Sequence, residues 1–148
     1  MNHHHRLVGW QRHVLYGGGA MLILTGVLWL VVHYSVGAGA SELPHPSEAW
    51  LMRLHGMAML AWLFSQGTLA AAHVPQGWRL TGRRRWAGQR NSGMMLCVLS
   101  GVLAVTGYLL YYFAPESVRP TLGCAHTAVG LAMAALLLSH RRRTRLGS

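Results

Sequence analysis

Charged side chains are scarce in this chain of 148 residues. Only 11% of its residues are charged and 52% are apolar, whereas charged residues make up about 25% of a typical soluble domain. A soluble protein of this length has far more surface than core, and it needs charge to cover that surface. The composition therefore argues against an ordinary soluble domain and favours a lipid bilayer as the solvent.

Acidic residues are the scarcest charged group. The chain contains only three, Glu42, Glu48 and Glu116, and none lies within a long apolar stretch, which excludes a carboxylate proton relay inside a membrane. All 13 basic residues are arginines, and the net charge is +10. Because they cluster between apolar runs rather than along one face with aromatic stacking platforms, nucleic acid is not an expected partner.

Cysteine-based and catalytic motifs are also missing. The two cysteines, Cys97 and Cys124, belong to different membrane depths in the layout given below, so we do not expect a disulfide between them. The sequence has no CxxC and no CxxCH, which leaves covalent c-type haem and a zinc ribbon unsupported. It contains no HExxH, no P-loop and no Ser-His-Asp set, so we assign no catalytic residue.

Long apolar stretches, in contrast, are abundant. Four stand out, over residues 14–33, 51–74, 93–114 and 122–139. Each is close to the ~20 residues that a helix needs to cross ~30 Å of hydrocarbon, and open backbone cannot be satisfied in lipid. Since the connections are short, the sequence predicts an all-α integral membrane protein, in which residues 1–148 form one domain, a four-helix up-down-up-down bundle.

Arginine placement predicts the orientation of this bundle. Only Arg53 and Arg119, with all three acids, fall on one side of the membrane. The other eleven arginines fall on the opposite side and are Arg6, Arg12, Arg79, Arg83, Arg84, Arg85, Arg90, Arg141, Arg142, Arg143 and Arg145. The positive-inside rule puts that side, with both termini, in the cytoplasm. The two halves share a helix-loop-helix plan, but their residues do not align, so we expect no internal repeat.

Histidines are the candidate functional residues, because ionisable groups at membrane depth are costly and imidazole is a common axial ligand of haem iron. His55 and His73 are 18 residues apart, five turns of an α-helix at about 3.6 residues each. His126 and His140 are 14 apart, within ~40° of one face. An up-down order brings His55 level with His126 on the outer side, and His73 level with His140 on the cytoplasmic side. Two stacked haems, each held by two histidines, require such facing pairs.

Neighbouring residues allow more than one interpretation. Gly130, one turn from His126, leaves room for a flat macrocycle, and Arg53 could pair with a haem propionate. Such a glycine is more often ordinary packing, and such an arginine more often reaches for the interface. His13 and His33 lie about 200° apart around a straight helix. Either could replace an axial ligand, bond a propionate or shuttle a proton, and we favour a supporting role.

Four segments carry a family resemblance, namely LHGMAML around His55, HVPQGWR from His73, RNSGMMLCVLSGVLAVTGYLLYY, and HTAVGLAMAALLLSH from His126 to His140. In these the chain resembles the bacterial b-type membrane cytochromes, which include the di-haem subunits of respiratory hydrogenases and formate dehydrogenases, and it looks most like small four-helix relatives. It departs from the larger relatives in having four helices and no evident quinone pocket.

The resemblance implies two non-covalent haem b groups, with His55, His126, His73 and His140 in the positions of the ligand histidines. It also implies the bacterial inner membrane, and electron transfer between a quinone pool or cytoplasmic-side donor and a periplasmic redox partner such as a cytochrome. The chain would then act as an electron-transfer subunit, alone or in a homo- or hetero-oligomer, rather than as a self-contained enzyme.

Two other functions stay open from the residues alone. The same histidines, with thioethers that suit copper(I), could serve a transition-metal transporter or sensor. The methionines concerned are Met52, Met57, Met59, Met94 and Met95. Alternatively, the chain could be a non-redox membrane anchor or assembly subunit whose histidines matter little.

Overall fold

Four long helices make up most of this computed structural model, which describes residues 9–41, 43–75 and 87–146. They are α1 (Gly9–Ser35), α2 (Pro46–Thr68), α3 (Ala87–Tyr112) and α4 (Arg119–Leu146). These described ranges contain no strand, so the predicted all-α class is confirmed. The helices begin several residues before the apolar stretches, because backbone hydrogen bonding continues into their polar flanks.

The chain divides into two compact units, Met1–Gln76 and Gly77–Ser148. The first contains α1 and α2, and the second contains α3 and α4. The single domain and the up-down-up-down bundle were predicted for the two units together. Both stay predictions.

The first unit is an antiparallel helical hairpin. Thr25 of α1 contacts His55 of α2, and His33 further along α1 contacts Glu48 nearer the start of α2. Residue numbers therefore fall along α2 as they rise along α1. The connection runs from the end of α1 at Ser35 to the start of α2 at Pro46, and it contains the glycines and prolines that are typical of loops.

Trp62 forms the centre of the first hairpin, where it is only 4% exposed. It packs on the glycine run of α1, where a Cβ added to Gly18 would lie 3.5 Å from the Trp62 Cβ. His13 and His33 could both face the interior of a bundle only if α1 were distorted, which its run of three glycines would allow. Instead α1 is regular from Gly9 to Ser35, and its glycines make room for the indole.

The two ends of α2 differ in character. His45 caps its start, where the imidazole Nδ1 accepts a hydrogen bond from the Ser47 backbone N–H at 3.3 Å, and Pro46 occupies the first helical position, which suits its missing N–H. At the other end α2 passes into a π-helix, Leu69–His73. Because a π-helix takes more residues per turn, the α-helical periodicity that put His55 and His73 on one face stops at Thr68.

The second unit is also an antiparallel hairpin. Ser92 and Thr106 of α3 contact His140 and His126 of α4, respectively. The tight turn between the helices is tied by Arg119, whose guanidinium donates to the Ala114 carbonyl oxygen at 3.1 Å.

Three helical segments among the described residues are long and apolar enough to cross a membrane: Gly9–Ser35, Arg90–Tyr112 and Arg119–Arg142. They suggest a membrane protein in contact with lipid, as the composition predicted. The regular part of α2 is not among them; it includes Glu48 and Arg53 and ends at Thr68. The fourth span and the orientation therefore stay predictions.

Replacing Gly18 with leucine should destabilise the first hairpin by about 1–3 kcal/mol, because the added side chain overpacks Trp62. Gly17 is the matched control, since a Cβ at that position meets nothing within 4 Å. Thermal unfolding in detergent micelles, followed by circular dichroism, measures both variants. An equal loss of stability in Gly18→Leu and Gly17→Leu would contradict the packing described here.

Candidate functional site

Three of the four predicted ligand histidines have described side chains, and all three make the same kind of contact. In each, Nδ1 lies against a hydroxyl oxygen of the neighbouring helix in its hairpin. The distances are 2.9 Å for Thr25–His55, 2.8 Å for Thr106–His126 and 2.7 Å for Ser92–His140. All three imidazoles are half-buried, so the contacts lie between the packed faces of the helices.

The threonine contacts determine a tautomer. A hydroxyl has a single hydrogen to donate, and each threonine turns it to a backbone carbonyl of its own helix: Thr25 to Met21 at 2.7 Å and Thr106 to Val102 at 2.8 Å. The hydroxyl oxygen therefore accepts a hydrogen bond from the imidazole Nδ1–H. A neutral imidazole that donates from Nδ1 has its lone pair on Nε2, the state that binds a metal when Nδ1–H is held by a neighbour.

A glycine follows each of the three hydroxyl residues and lies against the same imidazole. A Cβ added to Gly26, Gly93 or Gly107 would lie 3.5, 3.8 or 3.4 Å from the Cε1 atom of the partner histidine. Cε1 is the ring atom between the two nitrogens. The helix backbone therefore approaches the imidazole at Cε1, and at Gly26 also at Nδ1, so any side chain longer than a methyl group would crowd this edge of the ring.

The hairpins thus share a local motif that overall alignment did not predict. Thr-Gly opposite His occurs once in the first hairpin and once in the second, so the expectation of no repeat is corrected for these residues. The motif recurs within the second hairpin, because Ser92 precedes Thr106 by 14 residues and His126 precedes His140 by 14. In an antiparallel pair of helices, equal spacings bring both contacts into register.

Sequence reasoning missed these hydroxyl partners, although a signal for them was present. Each is the first residue of a hydroxyl–glycine dipeptide. The dipeptide alone is not sufficient, since Ser100-Gly101 shares it while the Ser100 hydroxyl contacts the Met133 sulfur at 3.7 Å. Ser92 and Thr106 are distinguished from Ser100 by their spacing of 14 residues on α3, which equals the spacing of His126 and His140 on α4.

The remaining predicted site residues have mixed outcomes. The His73 side chain lies outside the described ones, so its role as a ligand stays a prediction. A Cβ added to Gly130 would meet only Leu103, at 3.8 Å, which is ordinary packing distance between α4 and α3. Arg53 is exposed, and its guanidinium carbon lies 5.0 Å from the centroid of the Trp50 ring, a cation–π arrangement. The predicted roles of Gly130 and Arg53 toward a haem stay predictions.

The two histidines of α1 lie at opposite ends of the helix, about 30 Å apart along its axis. His13 is exposed on the helix surface. His33 is half-buried, stacks on Trp29 with ring centroids 4.5 Å apart, and places Nδ1 2.8 Å from the Glu48 carboxylate. The structure therefore pairs His33 with an acid rather than with His13.

Glu48 gathers hydrogen bonds from three segments of the first hairpin. One oxygen faces the His33 imidazole, and the other accepts from the backbone N–H groups of Ala38 and His45, both at 3.0 Å. The residue is only 7% exposed. Gly37 lies directly against the carboxylate, where an added Cβ would overlap the Glu48 Oε1 atom, so only glycine fits at this position.

These contacts shift the ionisation of Glu48. Burial by itself would raise the pKa of the Glu48 carboxyl, but the hydrogen bonds from His33, Ala38 and His45 outweigh burial and hold this pKa below its usual value. The side chain is therefore a carboxylate throughout the neutral range. The sequence predicted Glu48 only as one of three acids on one side of the membrane, because its partners lie in α1 and the loop and no sequence pattern identifies them.

Among the side chains that the structure describes, no three of the types His, Cys, Asp and Glu are grouped to hold a metal ion. Cys97 and Cys124 are free thiols and exposed. Comparison of the chain with family models, curated proteins and solved structures returned no match.

Replacing Glu48 with glutamine should lower the free energy of unfolding at neutral pH by roughly 1–3 kcal/mol, because an amide group cannot accept all three hydrogen bonds. A carboxyl whose pKa is lowered by folding stabilises the protein above its unfolded pKa, and the stabilisation is lost as pH falls through the folded value. The wild type should therefore lose stability below pH of about 4.3, and Glu48→Gln should respond less.

Thermal unfolding as a function of pH measures this difference. Glu116→Gln is the control, since Glu116 is an exposed acid in the turn of the second hairpin, and it should behave as the wild type. An unchanged acid response in Glu48→Gln would show that this carboxylate does not stabilise the hairpin.

Proposed function

We propose that this chain is a membrane-embedded b-type cytochrome that carries electrons, with His55 and His126 as axial ligands of one haem and His73 and His140 as ligands of a second. The observation that carries the proposal is the repeated hydroxyl contact on Nδ1. Because Thr25 and Thr106 accept from Nδ1–H, His55 and His126 present Nε2 as the basic nitrogen, which is the form that ligates iron.

The depth of His55 and His126 within their own hairpins supports pairing them. His55 is nine residues after the start of α2 at Pro46, and His126 is seven residues after the start of α4 at Arg119. At about 1.5 Å per residue, both lie ~10–14 Å from the turn of their hairpin. In an up-down bundle the two turns share one side of the membrane, so the two imidazoles would reach a similar level.

Haem suits these residues better than a bare metal ion. A structural or transported metal ion needs about four protein ligands. In a haem the macrocycle already supplies four ligands to iron, so only two positions are left for protein side chains. Single imidazoles from two hairpins meet that need. Gly26 and Gly107 also leave the Cε1 edges of these rings without a side chain from the residue that follows each threonine. The absence of CxxCH makes the haem non-covalent, that is, haem b.

The group would supply one-electron chemistry at iron, and the chain's residues have the remaining tasks. His55 and His126 bind it, Thr25 and Thr106 hold these imidazoles in one tautomer, and the apolar helix faces exclude water. Burial and the hydrogen bonds to the ligands are the means by which a protein sets the potential of such a centre.

The outward face of α2 supports a fourth membrane span. Leu54, Met57, Leu60 and Phe64 follow one another at helical spacing and are 39%, 67%, 70% and 64% exposed. An apolar stripe of this kind is unfavourable in water and is normal against lipid. With α2 in the bilayer, the four predicted spans and the predicted cytoplasmic termini are retained.

The described residues between the helices form only short turns. In this proposal, flavin or iron–sulfur chemistry is supplied by partners. We propose an electron-transfer subunit of the bacterial inner membrane, between a quinone or cytoplasmic-side donor and a periplasmic redox protein. The resemblance of the sequence to small b-type membrane cytochromes supports these partners.

Protein purified from cells with ample haem should show the absorption bands of reduced haem b, with two haems per chain. His126→Ala and His55→Ala should each lose about one haem equivalent, because the remaining imidazole leaves one axial position of the iron vacant. Reduced-minus-oxidised spectra and a haem assay measure both. The control is His45→Asn, which removes an imidazole but keeps an N-cap side chain. Colourless protein, or stoichiometric copper without haem, would overturn the proposal.

Thr25→Val and Thr106→Val should weaken haem retention about 10–100-fold, the usual effect of losing a hydrogen-bond partner of a metal-bound histidine. They should also raise the midpoint potential, because an imidazole whose N–H has no acceptor donates less charge to iron. Thr25→Ser and Thr106→Ser keep the hydroxyl and should restore both properties. If the valine and serine variants show the same midpoint potential and the same haem retention, the hydroxyl contacts do not act on the iron ligands.

A further inference from the structure

The His33–Glu48 pair has no part in the proposed haem ligation. We propose that it is a proton-exchange site, which takes up a proton from the aqueous phase at the α1–α2 turn when the iron site at His55 is reduced and releases it on oxidation. This inference rests on the proposed function in one respect, since it needs a redox centre at His55.

The placement of the pair relative to His55 is the first support. Glu48 and His55 are seven residues apart in one regular helix, which is two turns, so they share a face and lie about 10.5 Å apart along the axis. Both side chains contact α1, Glu48 through His33 and His55 through Thr25. The carboxylate and the candidate iron ligand are therefore neighbours within one hairpin rather than across an assembly.

Access to protons is the second support. The His33 side chain is 22% exposed, whereas that of Glu48 is 9% exposed, so water reaches the imidazole more readily than the carboxylate. Imidazole is the side chain that changes charge between pH of about 5 and 8. Its Nδ1 faces Glu48, which leaves Nε2 as the atom that gains the proton. Gly39 lies against the same ring, where an added Cβ would come within 3.0 Å of Cδ2 and Nε2, so a side chain at this position would press on the imidazole.

The groups that face the His33 imidazole come from α1 and α2. From α2, the Glu48 carboxylate contacts the ring directly. From α1, Tyr34 meets it edge-on with centroids 4.9 Å apart, and Trp29 stacks on it without charge. His45 is turned toward Ser47. Among the described residues of the first hairpin, Glu48 is the only carboxylate, so a positive charge gained by His33 would lie directly against a negative one.

The coupling follows from Coulomb's law. His33 lies eight residues along α1 from Thr25, the residue that contacts His55, which is about 12 Å along the axis. Two unit charges at about this separation, in an effective dielectric constant near 20, change each other's binding roughly tenfold. Reduction would add one electron, from an external one-electron donor, to the group that His55 would hold, and His33 Nε2 would take one proton from water, so the local charge would be balanced. Oxidation would return the electron to an acceptor and the proton to water.

Redox titration of the purified haem protein between pH of about 5 and 8, the range of imidazole titration, tests the proposal. The midpoint potential of one haem should fall as pH rises, by a total of about 59 mV for a tenfold coupling. His33→Gln keeps an amide donor toward Glu48 but cannot titrate, and it should give a flat profile. Glu48→Gln should move the pH-dependent range to lower pH. Glu116→Gln should match the wild type.

Each outcome bears on the proposal. A wild-type midpoint that is independent of pH, with haem present, would overturn it and leave the cytochrome function standing. A pH dependence that persists unchanged in His33→Gln would also overturn it. If the variants retain no haem, proton uptake by the wild type on reduction in unbuffered solution decides, and no uptake overturns the proposal. Protein without haem would overturn the proposed function itself.

Discussion

The hydrogen bond between a hydroxyl of one helix and the Nδ1 atom of a histidine on the next is the interaction on which the rest of this protein depends. The packed faces of the hairpins are otherwise largely apolar, and an unpaired polar group there would be costly. Thr25–His55 and Thr106–His126 therefore specify how each helix pair aligns, and they orient the ring and select its tautomer at the same time. The contact that packs the two helices also affects the chemistry of the histidine, because it leaves Nε2 as the basic nitrogen that can bind a metal.

The same requirement explains the ends of the hairpins. Where α1 turns into α2, Glu48 satisfies an imidazole and two backbone N–H groups, and Gly37 is needed to let the loop approach the carboxylate. Where α3 turns into α4, Arg119 satisfies a backbone carbonyl. Among the residues that the structure describes, no buried side-chain nitrogen or oxygen lacks a hydrogen-bond partner. The few polar groups of this apolar chain are thus used as pairs that determine register.

A cytochrome function would draw on both kinds of pair. In that function the threonine–histidine contacts would act on the iron ligands through their basicity, and the glutamate–histidine contact would act through charge from the turn of the same hairpin. The first kind of pair places a hydroxyl that is already bonded to the backbone against an imidazole. The second kind places a carboxylate against an imidazole. Histidines of the same chain thereby acquire different chemistry from their neighbours alone.

The sequence by itself determined the helical class, the four helices and the candidate histidines. Scarce charge and four apolar stretches of membrane length leave few alternatives, and ionisable groups within such stretches are conspicuous. Only the tertiary structure decided that Thr25, Ser92 and Thr106 hold histidines, that Glu48 pairs with His33, and that the glycines of α1 receive Trp62. Helical periodicity says which residues share a face, but not which face meets which. That choice depends on contacts between residues 15 to 48 positions apart, where the polar atoms of two helices must satisfy one another.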